Sequence, residues 1–223
     1  MLCAPYRASV ATEIVMSTHP VLPPARFTMA EYITFERAAL ERHEYLDGLI
    51  YAMAGESENH GRICVNLTIS LGSQLRGSGC EVFSKDTKVL CGPYRAYTRE
   101  GLYAYPDLVV VCGAGQYHDQ ARDVLLNPTV LIEVLSPSTE AFDRSEKFDR
   151  YRYWLPSLQD YILVVQERPI LDHYNRTAPD QWTLTTRRGL DASLVLATIG
   201  ARLALSEVYE RVVLPAAPSD TPG

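Results

Sequence analysis

The segment TVLIEVLSPSTE, residues 129–140, limits what this chain can fold into more than any other. Val130, Leu131, Ile132, Val134 and Leu135 read as a largely buried strand, and Glu133 stands in their midst. An ionised carboxylate is costly to bury unless it is paired or bound to a metal. The fold must therefore bring a partner to Glu133.

The chain's 223 residues suffice for one domain with a full core. No apolar run approaches the roughly 20 residues of a membrane helix. Residues 1–27 lack both a basic region and a compact apolar core, so a flexible leader is expected there rather than a signal peptide. A net charge of −6 argues against nonspecific coating of nucleic acid while permitting a local basic cleft. The five cysteines (Cys3, Cys64, Cys80, Cys91, Cys112) form no CxxC and no His/Cys cluster at zinc-site spacing. Reduced thiols in a cytoplasmic protein, most of them small core residues, are the expectation.

Thr28-Met29-Ala30-Glu31 fits a capping box opening a helix to about residue 42. Asp47-Gly48 reads as the turn of a hairpin in EYLDGLIYAM. Ile63, Leu67, Leu71 and Leu75 recur at helical spacing within residues 59–77. CEVFSKDTKVLCG reads as a strand or a broken pair, residues 92–102 as a loop, YPDLVVVCG as a strand and residues 113–128 as a polar loop. After the Glu133 strand come a helix over about 141–155, a buried strand YILVV, an alternating hairpin ILDHYNR/QWTLTTR, a last helix over 206–213 and a loose tail over 214–223. The expected architecture is α/β with a mixed sheet in one domain.

Alternation sets Asp107, Val109 and Val111 on one face of their strand, and Leu131, Glu133 and Leu135 on one face of theirs. As sheet neighbours, Asp107 and Glu133 would point to one place and share a divalent cation; the plainer alternative is a turn cap and an arginine pair. Lysine is scarce, at Lys85, Lys88 and Lys147 only, against 18 arginines. On a helical wheel Lys147 falls between Tyr151 and Trp154, within the apolar stripe of Phe148, Tyr151, Trp154 and Leu155. Asp143, one turn earlier, is placed to orient it; a lysine stem snorkelling over aromatics is the competing reading.

These stretches (HEYLDGLIYAMAG, YPDLVVVC, LIEVLSPSTEAFDRSEKFDRYRYW and LQDYILVVQERP) resemble the PD-(D/E)xK nuclease superfamily and, within it, the Uma-two family of restriction-endonuclease-like proteins. The resemblance implies a restriction-endonuclease-like core, a mixed sheet flanked by helices, over residues 28–213. It implies Asp107 and Glu133 as catalytic metal ligands for Mg²⁺, with Mn²⁺ substituting, and Glu44 as a further ligand. The superfamily's lysine normally lies two residues after the second acid, where this chain has Leu135; the resemblance implies that Lys147 has taken its place. His60 matches a histidine usual in the family.

His60, Lys88, Asp143 and Arg144 are candidates for substrate contact or for support of the ligands, with Lys85, Arg150 and Arg152 beside them. The expected activity is hydrolysis of phosphodiesters in nucleic acid, double-stranded DNA in the first instance, by a homodimer without membrane association. A nuclease-fold binding module that no longer cleaves and a hydrolase of small phosphoesters are the alternatives.

Overall fold

The computed structural model describes residues 26–93, 95 and 97–215. The expected leader therefore lies outside the described residues up to residue 25, as does the expected tail from residue 216. The chain enters through α1 (Met29–Ala38), whose capping box forms as read: Thr28 accepts from the Glu31 amide at 3.3 Å, and Glu31 accepts from the Thr28 amide at 2.7 Å. The helix stops at Ala38, short of the expected residue 42. Glu36 accepts from the His43 amide (3.0 Å) and the Tyr32 hydroxyl donates to the His43 carbonyl (2.6 Å), so the chain is drawn back before it can add another turn.

β1 (His43–Leu46) and β2 (Leu49–Ala52) form a hairpin over Asp47-Gly48, both at positive φ (46° and 94°), the conformation of a type I′ turn. They join β5 (Leu102–Ala104), β4 (Lys88–Cys91) and β7 (Val124–Leu125) in a five-stranded sheet of order β2-β1-β5-β4-β7. The second sheet has order β11-β10-β9-β8-β6-β3. Its strands are β3 (Cys80–Ser84), β6 (Leu108–Cys112), β8 (Val130–Leu135), β9 (Asp160–Val165), β10 (Ile170–Ala178) and β11 (Gln181–Arg188). All pairs are antiparallel except β8 with β9 and β4 with β7. CEVFSKDTKVLCG is thus a broken pair of strands whose halves enter different sheets.

One face of the six-stranded sheet (Leu108, Val110, Val130, Ile132, Val134) packs on α2 (Glu58–Gln74) through Ile63, Cys64, Leu67 and Leu71. The hairpin β12 (Ser193–Leu196)–β13 (Ala201–Ala204) and the short α5 (Leu205–Val208) close that core. The other face (Val109, Val111, Leu131, Leu135, Leu163) packs on Phe148, Tyr151 and Leu155 and on the inner side of the five-stranded sheet. α1 covers the outer side of that smaller sheet. Buried side chains dominate β8, whose six residues are all buried, Glu133 included at 4% exposure. Among the described residues no helix is long and apolar enough to cross a membrane.

The cysteine expectation needs correction. Cys80 and Cys112 are bonded to each other, while Cys64 and Cys91 are free and buried as anticipated; Cys3 lies outside the described residues. The reason is register: β3 pairs with β6 antiparallel with Cys80 directly opposite Cys112. Gly113 donates to the Gly79 carbonyl just beyond, so Cys80/Cys112 is a non-hydrogen-bonded pair, the position where facing side chains come closest. Spacing along the chain carries no sign of that register.

Candidate active site

The helix after β8 runs as α3 (Glu140–Phe142), a π-helical turn (Asp143–Lys147) and α4 (Phe148–Trp154). Widened π turns recur at functional sites, and this one carries Asp143 and Lys147, exposed by only 3% and 4%. The Tyr161 hydroxyl donates to the Asp143 carbonyl at 2.9 Å, holding the turn against β9. The aromatic stripe beyond it packs on the sheet, so Lys147 is carried inward, as the wheel indicates.

Its ammonium lies 3.0 Å from Glu133, 3.3 Å from Asp143 and 3.5 Å from Glu44. Glu133 also accepts from the Tyr151 hydroxyl at 3.1 Å, and Glu44 from the Tyr105 amide at 3.1 Å. This answers the question posed by β8: the partner of its buried carboxylate is Lys147. Burial alone would lower the Lys147 ammonium, but Glu133 and Glu44, with Asp143 behind them, hold it well above its ordinary range. Burial pushes the Glu133 carboxyl well upward, with Lys147 opposing and the carboxylates of Asp143 and Asp107 adding to the rise. Three acids share one ammonium, so the cluster carries excess negative charge and favours a further cation or a proton.

Asp107 stands one residue before β6. Continuing the β6–β8 register, in which Leu108 faces Ile132, sets Asp107 beside Glu133. One of its oxygens accepts from the Val134 amide and the other meets His60 Nε2, both at 2.8 Å. Burial raises the Asp107 carboxyl, but the hydrogen bond and charge of His60, with the Val134 amide, outweigh it and hold it below the usual carboxylate range. His60 comes from the first turn of α2 on the opposite face of the sheet. Asp107, at the strand's end, is thus where that helix meets the edge of the acid-and-lysine cluster. Oxygen ligands on Asp107, Glu133 and Glu44 are the donor types of a hard divalent cation, and here Glu133 and Glu44 converge on the Lys147 ammonium.

The other candidates lie further out. Arg144 binds Glu140 (2.7 Å) and Asp172 (2.8 Å), tying the helix to β10, and Arg150 binds Asp47 (2.6 Å) and Glu146 (2.7 Å). Arg152 pairs with Asp149 at the surface and lies over the Phe148 ring. Lys88 is buried against Asp123 (3.1 Å) and over the Tyr105 ring (5.2 Å) rather than on the carboxylates. Lys85 pairs with Glu56, which is itself 3.9 Å from His60.

Tyr151, Glu56 and Cys64 were not singled out in the sequence. Tyr151 is legible only as an apolar-stripe residue until the hydroxyl's target is known. Ligand atoms of Glu56, His60 and Cys64 all lie within 4.8 Å of one another, a grouping the absence of zinc-site spacing in the sequence does not announce. The signal was a spacing of four, one helical turn per step, where a search for CxxC and paired zinc motifs finds nothing.

Helices cover both faces of the six-stranded sheet in this mixed α/β framework. A crystal structure of a putative nuclease belonging to DUF820 from Anabaena variabilis superposes with a TM-score of 0.66, covering 84% of this chain and 99% of that one. At 15% identity the likeness is one of fold. The model of the Uma2 family, "Putative restriction endonuclease", matches residues 29–206, and the chain belongs to that family. Relatives include uncharacterized protein slr1290 of Synechocystis sp., 35% identical over 190 residues (85% of this chain, 95% of that protein). Another is sll1609 of the same organism, 33% identical over 167 residues (75% and 90%).

Proposed function

We propose that this chain is a metal-dependent endonuclease hydrolysing phosphodiester bonds of double-stranded DNA, with its catalytic unit at residues 28–213. The observation that carries the reading is the buried ammonium of Lys147 held by Glu133, Asp143 and Glu44 beside Asp107. Asp107, Glu133 and Glu44 would hold Mg²⁺, or Mn²⁺ in its stead; when bound, such an ion acidifies a water and polarises a phosphate oxygen. Lys147 places a proton donor where negative charge develops on the phosphate. Tyr151 fixes the rotamer of Glu133, and His60 with the Val134 amide keeps Asp107 ionised and oriented.

Two strands cut at one locus call for two such sites, and a homodimer supplies them. Cytoplasmic residence, also part of this reading, requires Cys80 and Cys112 to be reduced in the cell; non-reducing mass spectrometry after rapid alkylation reads that directly.

The test is cleavage of supercoiled plasmid, linear duplex, RNA and a small phosphodiester, with and without Mg²⁺ or Mn²⁺. Metal-dependent nicking by the wild type, absent from Glu133→Gln and Lys147→Met, is expected. Hydrolysis of the small ester alone would replace the proposal with the phosphoester-hydrolase reading. That second reading is favoured by the occupation of Arg144 and Arg150 with carboxylates. Metal binding with no hydrolysis of any substrate would leave a binding module.

A further inference from the structure

A second cluster, chemically unlike the first, sits on the α2 side of Asp107. Glu56 just before the Ser57 cap, His60 in the first turn and Cys64 one turn on present an oxygen, a nitrogen and a sulfur along one helix face. Their exposure grades from a buried thiol (5%) to an exposed carboxylate, so the cluster is open at one end. The Glu56 carboxylate folds back over the helix at Gly61, its Oε1 3.4 Å from where a Cβ would stand, which is ordinary contact distance.

We propose that Glu56, His60 and Cys64 form a binding site for a borderline-soft divalent cation of the Zn²⁺ class, with Asp107 as fourth ligand. A mixed thiolate, imidazole and carboxylate set selects such an ion over Mg²⁺, which prefers oxygen alone. Two separations, both made by His60, come near tetrahedral spacing, and the thiol lies within 4.8 Å of Glu56 and His60. Tetrahedral bonds of about 2.0–2.3 Å keep ligand atoms roughly 3.3–3.8 Å apart. His60 Nε2 is 3.9 Å from Glu56 Oε2 and 2.8 Å from Asp107 Oδ1. The first gap must close and the second open by about half an ångström each, within reach of the exposed Glu56 side chain and of a His–Asp pair exchanging its shared proton for a metal. The rearrangement moves the Glu56 oxygen that now accepts from Lys85. Asp107 would then belong to both clusters, so an ion bound here competes with a hard cation for that carboxylate. The site itself does not depend on the nuclease reading, because no part of its donor chemistry invokes a phosphodiester.

The experiment is a Co²⁺ titration of the full-length, chelator-stripped chain, with Co²⁺ reporting thiolate ligation through its near-ultraviolet charge-transfer absorption. One equivalent should raise that band, Zn²⁺ should abolish it by displacement, and a large excess of Mg²⁺ should not. Cys64→Ser should lose the band and weaken Zn²⁺ binding more than about a hundredfold by calorimetry, exceeding the usual loss of a mere supporting group. Cys91→Ala, which removes the other free buried thiol, and Glu133→Gln should keep it. Should Cys64→Ser fail to fold, His60→Gln must show the same fall in Zn²⁺ affinity with the thiol intact. No band in the wild type, a band surviving Cys64→Ser, or Zn²⁺ affinity unchanged in His60→Gln would overturn the proposal. The cleavage assay plays no part, so failure here and failure of the nuclease reading are told apart.

Discussion

Replacing Lys147 with methionine keeps the apolar stem and deletes the charge. In this structure that ammonium is the cation within 3.0–3.5 Å of Glu133, Asp143 and Glu44, two of which are almost fully buried. Removing one partner of a buried ion pair costs about 3–5 kcal/mol. Here several acids lose the same partner, which pushes the loss upward. The opposing effect is that burial already drives Glu133 toward its neutral form, so the carboxylates need not all stay charged. The range of about 3–5 kcal/mol therefore stands, equivalent to a fall of roughly 6–20 °C in Tm for a chain of this size. Calorimetry in chelator measures it; adding Mn²⁺ should recover part of the loss, because a divalent cation compensates the same acids. Plasmid cleavage by Lys147→Met should be lost. An unchanged Tm would refute the caged-ammonium geometry. A lowered Tm with near-wild-type cleavage would make Lys147 a structural residue.

Glu133→Gln should behave oppositely in chelator, keeping or raising Tm as acid crowding is relieved, while heats of Mg²⁺ binding fall; unfolding of this variant would show that the Lys147 pair is chiefly structural. Arg37, with Lys88, holds the Asp123 carboxyl down at about 2. A depressed carboxyl contributes stability that is complete above its unfolded value near 3.9 and lost as pH falls toward 2. Asp123→Asn should flatten that acid limb by at most about 2 kcal/mol after allowance for solvent screening, read from urea midpoints between pH 5 and about 2; an acid limb as steep as the wild type's would contradict the assignment. Opening the Cys80–Cys112 loop, 32 residues in separation, should cost roughly 3–4 kcal/mol on the chain-entropy account; urea midpoints that match with and without reductant would show that the pair does not bond in solution.

Features with a local cause could be read in advance. The Thr28/Glu31 capping box and the Asp47-Gly48 turn are settled by a few neighbouring residues, and both form. Lys147 was placed by helical periodicity, which survives the π turn because the aromatic stripe after it still packs on the sheet. Three-residue β5 and two-residue β7 are too short to show a period. The β12–β13 hairpin does alternate, with Leu194, Leu196, Ala201 and Leu203 buried, but residues 197–200 between its strands carry no Asn-Gly or Asp-Gly turn signal. The last helix is shorter than the expected 206–213: α5 ends at Val208, and Arg211 turns to φ 61°, a conformation no right-handed helix accommodates.

The site divides along the same line. Its acids announce themselves because a charge inside an aliphatic strand violates the pattern around it, as Glu133 does. What completes the site arrives by sheet register and helix docking, which no linear period encodes. Register puts Asp107 beside Glu133 and Cys80 opposite Cys112; docking of α2 on the far face brings His60 to Asp107. Cys64, otherwise an ordinary core thiol, meets the ligand atoms of Glu56 and His60 through the spacing of four along α2 itself. Asp107 is the residue on which both elements converge. Its replacement by asparagine should accordingly disturb two properties that Glu133→Gln separates. Hard-cation binding should fall in both variants, whereas the Co²⁺–thiolate band should weaken in Asp107→Asn alone. A band equally strong in both would remove Asp107 from the α2 site and leave it to the acid cluster.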